Sequence, residues 1–197
     1  VDPAAGTRGH IDVFGPAERR IVCLDAADAR TQWTREAPWV VPGSLAVAGD
    51  RAVFYDGEQV VAISVYDGEE IWRSEKLGER TPVPSYFTPC VVLHEDLVLF
   101  SGADTGQKPY HVDNGKTMVA LDADTGRTLW QAPHPPSGYR SPEDMLIVDD
   151  LVWTGDIMHV KGMKGEGEFT GRDLRTGEVK VRFTPDVPKR TYWFHHR

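Results

Sequence analysis

A pattern that recurs four times limits what this chain can fold into more than any other feature of its sequence. Four segments align: Arg20–Trp33 (RIVCLDAADARTQW), Val61–Trp72 (VAISVYDGEEIW), Met118–Trp130 (MVALDADTGRTLW) and Phe169–Val181 (FTGRDLRTGEVKV). Gly68, Gly126 and Gly177 stand four residues before Trp72, Trp130 and Val181, and Ala29 holds that place before Trp33. A second element precedes each later copy: Val47–Phe54, Leu93–Phe100 and Ile147–Trp153. Its turn residues Asp50, Asp96 and Asp150 are spaced 46 and 54 apart. A period near 50 is the size of one four-stranded propeller blade.

Each part has a physical reading. Asp and Gly make tight turns, because Gly accepts positive φ and Asp bonds its own backbone. The alternating runs on either side turn one face to a core. A tryptophan at a fixed place in the last strand fills the gap to the neighbouring sheet. One such unit cannot bury its faces alone, so the units stack. Composition agrees. Glycine (19) and proline (14) are abundant, apolar residues make up 40%, and no window holds a helical period over three turns. The expected fold is all-β: a β-propeller of four-stranded antiparallel blades, about four of them. Residues 1–34 supply part of a blade, 43–74, 88–131 and 142–183 a whole blade each, and 190–197 the start of a further one.

The run Val119-Ala-Leu-Asp-Ala-Asp-Thr-Gly-Arg-Thr-Leu-Trp130 resembles the repeat of bacterial quinoprotein-type propellers, the PQQ-like repeat family. The pattern is Ala-Leu-Asp, then Thr-Gly, then Trp. Its markers here are Trp33, Trp72, Trp130, Gly68, Gly126, Gly177, Asp122 and Asp173. Departures are Ser64 for Asp, Ala29 for Gly and Val181 for Trp. The resemblance spans about residues 20–183 and implies the fold rather than an activity. At about 45 residues per blade, the six to eight blades usual for the family exceed this length. The chain is therefore expected to be a segment of a longer propeller whose remaining blades are its partners. The alternative is that its last strand completes the first blade and closes a four-bladed ring.

With strands labelled A to D from inside to outside, the A–B and C–D turns are short and share one face. The B–C and D-to-A connections are long and share the other. Long loops on a rigid scaffold are where binding concentrates. That face is expected to gather Tyr110, His111, Arg140, Glu143, Asp144, His159, Lys161, Tyr192, His195 and His196 as a ligand- or partner-binding surface. Glu143 and Asp144 stand where strand A enters the channel and are its best-placed carboxylates.

Other chemistry is set aside. Asp122-Ala-Asp-Thr-Gly126 opens like a calcium loop, but Pro133 stands where an EF-hand needs Glu. The Gly162–Gly167 run lacks the Lys-Ser/Thr pair of a P-loop. His195 and His196 are adjacent in a strand and point to opposite faces, so they do not chelate one ion. Cys23 and Cys90 read as small apolar residues rather than a bridge. With 22 basic and 30 acidic residues the net charge is −8, which argues against nucleic acid as a partner. No apolar run is long enough to cross a bilayer. No catalytic residue, metal ligand or cofactor is assigned. The reading is a non-catalytic scaffold or binding module for a protein partner or small ligand, working outside the cytoplasm, as many relatives do. The resemblance implies one alternative, part of a PQQ- and calcium-dependent quinoprotein dehydrogenase.

Overall fold

The Asp-to-Gly segment of each repeat copy folds as a tight hairpin between two strands. In the third copy the Asp122 amide bonds the Arg127 carbonyl at 2.9 Å, and the Gly126 amide bonds the Asp122 carbonyl at 2.8 Å. Gly126 takes φ +71 at the end of the four-residue turn 123–126, and the ladder beyond it carries a bulge between the Leu121–Thr128 and Ala120–Trp130 pairs. The Asp122 carboxylate accepts from the amides of Asp124 and Thr125 and from the Thr125 hydroxyl. Asp173 repeats the backbone bonds in the fourth copy. Ser64 replaces Asp in the second copy and keeps one of these bonds, its Oγ accepting from the Tyr66 amide at 3.2 Å. Ala29 is forced to φ +59, a conformation that costs a non-glycine residue about 1 kcal/mol or more.

The computed structural model describes residues 10–11, 18–41, 43–80, 83–84, 89–103, 116–134, 145–155 and 168–184. Its strands are β1 (His10–Ile11), β2 (Arg20–Leu24), β3 (Thr31–Glu36), β4 (Ala46–Ala48), β5 (Arg51–Tyr55), β6 (Val60–Ser64), β7 (Glu70–Arg73) and β8 (Val83–Pro84). There follow β9 (Cys90–His94), β10 (Leu97–Ala103), β11 (Lys116–Asp122), β12 (Thr128–His134), β13 (Leu146–Val148), β14 (Leu151–Gly155), β15 (Phe169–Asp173) and β16 (Val179–Phe183). No helix occurs among the described residues. Three four-stranded antiparallel sheets run in chain order, β4–β7, β9–β12 and β13–β16, and β2–β3 form a two-stranded sheet before them. The β1–β8 pair, His10 against Pro84, lies outside the repeat pattern and was not foreseen from it.

The sheets stack face to face in sequence order. Strand β11 shows this best. Val119 and Leu121 pack with Val53, Tyr55 and Trp72 of the preceding blade, while Met118 and Ala120 pack with Val152 and Leu174 of the following one. Neighbouring residues of one strand point to opposite faces, so this strand is apolar on both. A two-layer sandwich leaves the outer face of each sheet to water; here β4–β7 and β9–β12 each bury both faces. That is the stacking of a propeller. Cys23 and Cys90 are each half-buried and are not joined to one another in a disulfide.

Candidate functional site

The turn face is held by contacts between blades. Trp33, Trp72 and Trp130 each donate their indole N–H to a turn carbonyl of the next blade, Val65, Ala123 and Leu174, each at 2.8 Å. The three rings lie against Gly68, Gly126 and Gly177; a Cβ at Gly177 would stand 2.7 Å from the Trp130 ring. Ion pairs at the rim cross the same junctions. Arg51 reaches Asp124 at 2.8 Å, and Arg175 reaches Asp96. The hydrogen bonds and charge of Arg51 hold the Asp50 carboxyl below its usual range, and Arg175 does this for Asp96. On this face every described marker residue has a structural task.

The loop face is described around the B–C turn at Asp56 and the D-to-A connections at 37–41, 43–45 and 74–80. Asp56 is 5% exposed and forms the centre of a network. It accepts from Arg73 Nη1 at 2.6 Å, from Arg80 Nη2 at 3.3 Å and from the amides of Glu58 and Gln59. Arg80 also pairs with Glu58 at 3.0 Å and lies 4.8 Å over the Trp39 ring. Lys76 adds a longer pair to Glu58, and Glu70 pairs with Arg73 at 2.9 Å. Burial works against the Arg73 charge, but the hydrogen bonds and charges of Glu70 and Asp56 outweigh it and raise its pKa. Below this network Tyr55 donates its hydroxyl to the Gly57 carbonyl at 2.7 Å, and its ring meets Phe100 at 4.6 Å. These contacts join the Trp39 connection, the Asp56 turn and the Arg80 connection into one platform.

Tyr110, His111, Arg140, Glu143, Asp144, His159, Lys161, Tyr192, His195 and His196 lie outside the described residues. The platform residues Trp39, Asp56, Arg73 and Arg80 were not singled out from the sequence. Asp56-Gly57 carries an ordinary turn signal. Nothing local marks Arg80 as its partner, 24 residues on.

The chemistry of the described platform is that of a fixed surface. The Asp56 carboxylate is fully engaged by two guanidiniums and two amides, so it is not offered to a cation. Among the described residues no cluster of three His, Cys, Asp or Glu side chains has the geometry of a metal site.

Three solved structures share this arrangement of sheets. BamB from Moraxella catarrhalis is 17% identical over 83% of this chain and 46% of its own, with a TM-score of 0.54. A europium-containing methanol dehydrogenase is 14% identical over 89% of this chain and 40% of its own, with a TM-score of 0.60. Quinohemoprotein alcohol dehydrogenase from Comamonas testosteroni is 12% identical over 90% of this chain and 34% of its own, with a TM-score of 0.59. The chain spans less than half the length of each, and at these identities the likeness is one of fold. No curated protein matches the chain. The family model described as "Outer membrane protein assembly factor BamB" matches residues 3–106 and again 103–184. Those two matches cover nearly all of the repeat region, and the chain belongs to this PQQ-like repeat family of β-propeller proteins.

Proposed function

We propose that the chain is a non-catalytic propeller scaffold that holds a protein partner on its loop face. The observation behind this reading is the saturation of the described platform. Its buried carboxylate, Asp56, is neutralised by Arg73 and Arg80, and the half-buried cation of Arg80 is stacked on Trp39. A site built for proton transfer leaves a titratable group unpaired and poised near neutral pH. A rigid surface of aromatic and arginine side chains is the composition of protein contact sites. The family description, an assembly factor, fits a partner that is itself a protein. Work outside the cytoplasm follows from the same kinship.

The long connections would complete the surface, with Tyr110, His111, Arg140, Glu143, Asp144, His159, Lys161, Tyr192 and His195 as its candidate contacts. The competing reading is a part of a PQQ- and calcium-dependent dehydrogenase, favoured by the fold shared with the two alcohol-oxidising enzymes. Calorimetric and absorbance titration with PQQ plus calcium separates the two. The scaffold reading expects no saturable heat. Micromolar binding that disappears in Glu143→Ala or Asp144→Ala would overturn it.

A further inference from the structure

The seam between β9–β12 and β13–β16 is polar where the seam before it is apolar. Strand register aligns Phe100, Val119 and Leu121 of the β9–β12 sheet with Thr154, Thr170 and Arg172 of the β13–β16 sheet. The first three are completely buried against the preceding sheet. Val152 packs on Leu97 and Leu99 of the sheet before its own, and it pairs across strands with Arg172. Cross-strand partners share a face, as do residues two apart on a strand. Arg172 and the two threonines therefore turn toward β9–β12, a sheet that is present. The threonines satisfy each other, with their Oγ1 atoms 3.2 Å apart and both residues buried.

Arg172 is not matched in this way. Arg35, Arg51 and Arg80 are half-buried like it, and each pairs with a carboxylate: Glu70, Asp124 and Glu58. Arg19 has no such pair among the described residues, but its Nη1 bonds the exposed Pro38 carbonyl. Arg172 has only the Gly177 carbonyl, at 3.0 Å from Nη1, and its Nε is buried without a partner among the described residues. The neighbouring carboxylates are taken. Glu168 pairs with Arg182, and Glu178 pairs with Lys180 at 2.7 Å. Arg182 stands opposite Thr170, hence on the same face as Arg172. Its charge adds to burial in lowering the Arg172 pKa, whereas carboxylates outweigh burial at Arg51 and Arg73. Packing does not call for a cation here, since Ile63 and Leu121 fill the position in the other blades. A residue that breaks the local pattern at a cost in stability marks a place with another task.

We propose that Arg172, with Arg182 beside it, binds a small phosphate-like oxyanion at the rim of this seam. Two guanidiniums and the one carboxylate of Glu168 leave a net positive charge on this face. The planar guanidinium presents directional N–H donors that match the oxygens of such an anion. The bond from Nη1 to the Gly177 carbonyl anchors the fork on its turn, and the nitrogens beyond the closed-off Nε are the ones that meet the ligand. The bound anion supplies the counter-charge that the fold does not. This site lies away from the loop platform and does not rest on the scaffold reading.

Urea melts of the 197-residue chain in rising inorganic phosphate, against chloride at equal ionic strength, test this. Phosphate should stabilise the parent saturably. At about twenty times the dissociation constant the folding equilibrium should rise about twentyfold. Exclusion of phosphate from protein surfaces raises every variant alike and does not saturate. Arg172→Leu should be more stable than the parent without phosphate and should lose the saturable gain; the same melts establish that it is folded. Glu168→Gln releases Arg182 from its carboxylate and should bind phosphate severalfold more tightly. No saturable gain in the parent, an equal gain in Arg172→Leu, or a Glu168→Gln chain that binds no more tightly would each overturn the proposal.

Discussion

Trp130 lays its ring on Gly177 and donates its indole N–H to the Leu174 carbonyl at 2.8 Å. One side chain thus closes the gap between two sheets and satisfies a turn carbonyl that water would otherwise have to reach. The same device joins Trp33 to the Gly68 turn and Trp72 to the Gly126 turn. The stack is built from this repeated link.

Gly177 and Gly49 form a natural pair of test sites. Both have positive φ, +72 and +59, but a Cβ on Gly49 meets nothing within 4 Å while one on Gly177 meets Trp130. Gly49→Ala should cost only the backbone strain, about 1 kcal/mol. Gly177→Ala adds overpacking against a ring fixed on both sides, for a total of about 3 kcal/mol. Urea melts of the two variants measure the difference. Equal costs would mean that the tryptophan does not rest on the turn.

Asp56 should be the most sensitive residue of the loop platform. Asp56→Ala leaves Arg73 and Arg80 facing each other without their shared anion. Both guanidiniums keep some water, so the cost falls at about 2–3 kcal/mol rather than at the upper end for buried pairs. Arg80→Ala removes one of two partners and should cost about 1 kcal/mol. Chemical denaturation gives the order; Arg80→Ala as the costlier change would contradict the assignment of Asp56 as the centre.

The turn aspartates give acid sensitivity with a definite sign. Asp122 is held below its ordinary 3.8 first by the Thr125 hydroxyl, and Asp173 first by the Thr176 amide. A carboxyl whose pKa is lower in the folded chain stabilises it above the unfolded value and loses that effect as pH falls through the folded one. The melting temperature of the parent should therefore fall below about pH 4. The double variant Asp122→Asn with Asp173→Asn should start lower at neutral pH, and its gap to the parent should close in acid. A gap that stays constant down to pH 2 would rule out these two carboxylates as the source.

Arg172 stands where the repeat has leucine or isoleucine, the position of Ile63 and Leu121. Its Nε is buried without a hydrogen-bond partner among the described residues, while Nη1 reaches the Gly177 carbonyl at 3.0 Å. Burial, with the Arg182 charge behind it, lowers its pKa. Arg172→Leu should raise stability by about 1 kcal/mol, by replacing a poorly solvated charge with the apolar residue the position accepts in other blades. A destabilised variant in the same melts would show that the charge has a partner of its own.

How far the sequence could be read depends on how local each interaction is. The Asp-x-x-x-Gly turn and the tryptophan four residues later are short-range signals, so the hairpins, the all-β class and the stacking device were all legible. Ser64 and Ala29 appeared as departures, and the structure shows how each is tolerated: the Ser64 hydroxyl keeps one of the turn bonds that Asp makes, and Ala29 accepts a strained backbone. The platform was not legible. Asp56, Arg73, Arg80 and Trp39 are joined by side chains distant in sequence, and none carries a motif. The exchange of size between Trp153 and Gly171 was also invisible, since it needs the cross-strand register. The candidate contacts from Tyr110 to His195 were read from the expected placement of the repeat's loops and strands, and all of them lie outside the described residues.

The interlock itself is tested most directly by a double-mutant cycle on Trp72 and Gly126, whose contact joins the two sheets that bury both faces. Gly126→Ala alone should be strongly destabilising, and in the Trp72→Ala background it should cost only the strain of its left-handed backbone, leaving a coupling of about 2 kcal/mol. Additive costs, with Gly126→Ala equally damaging whether or not the ring is present, would contradict the account.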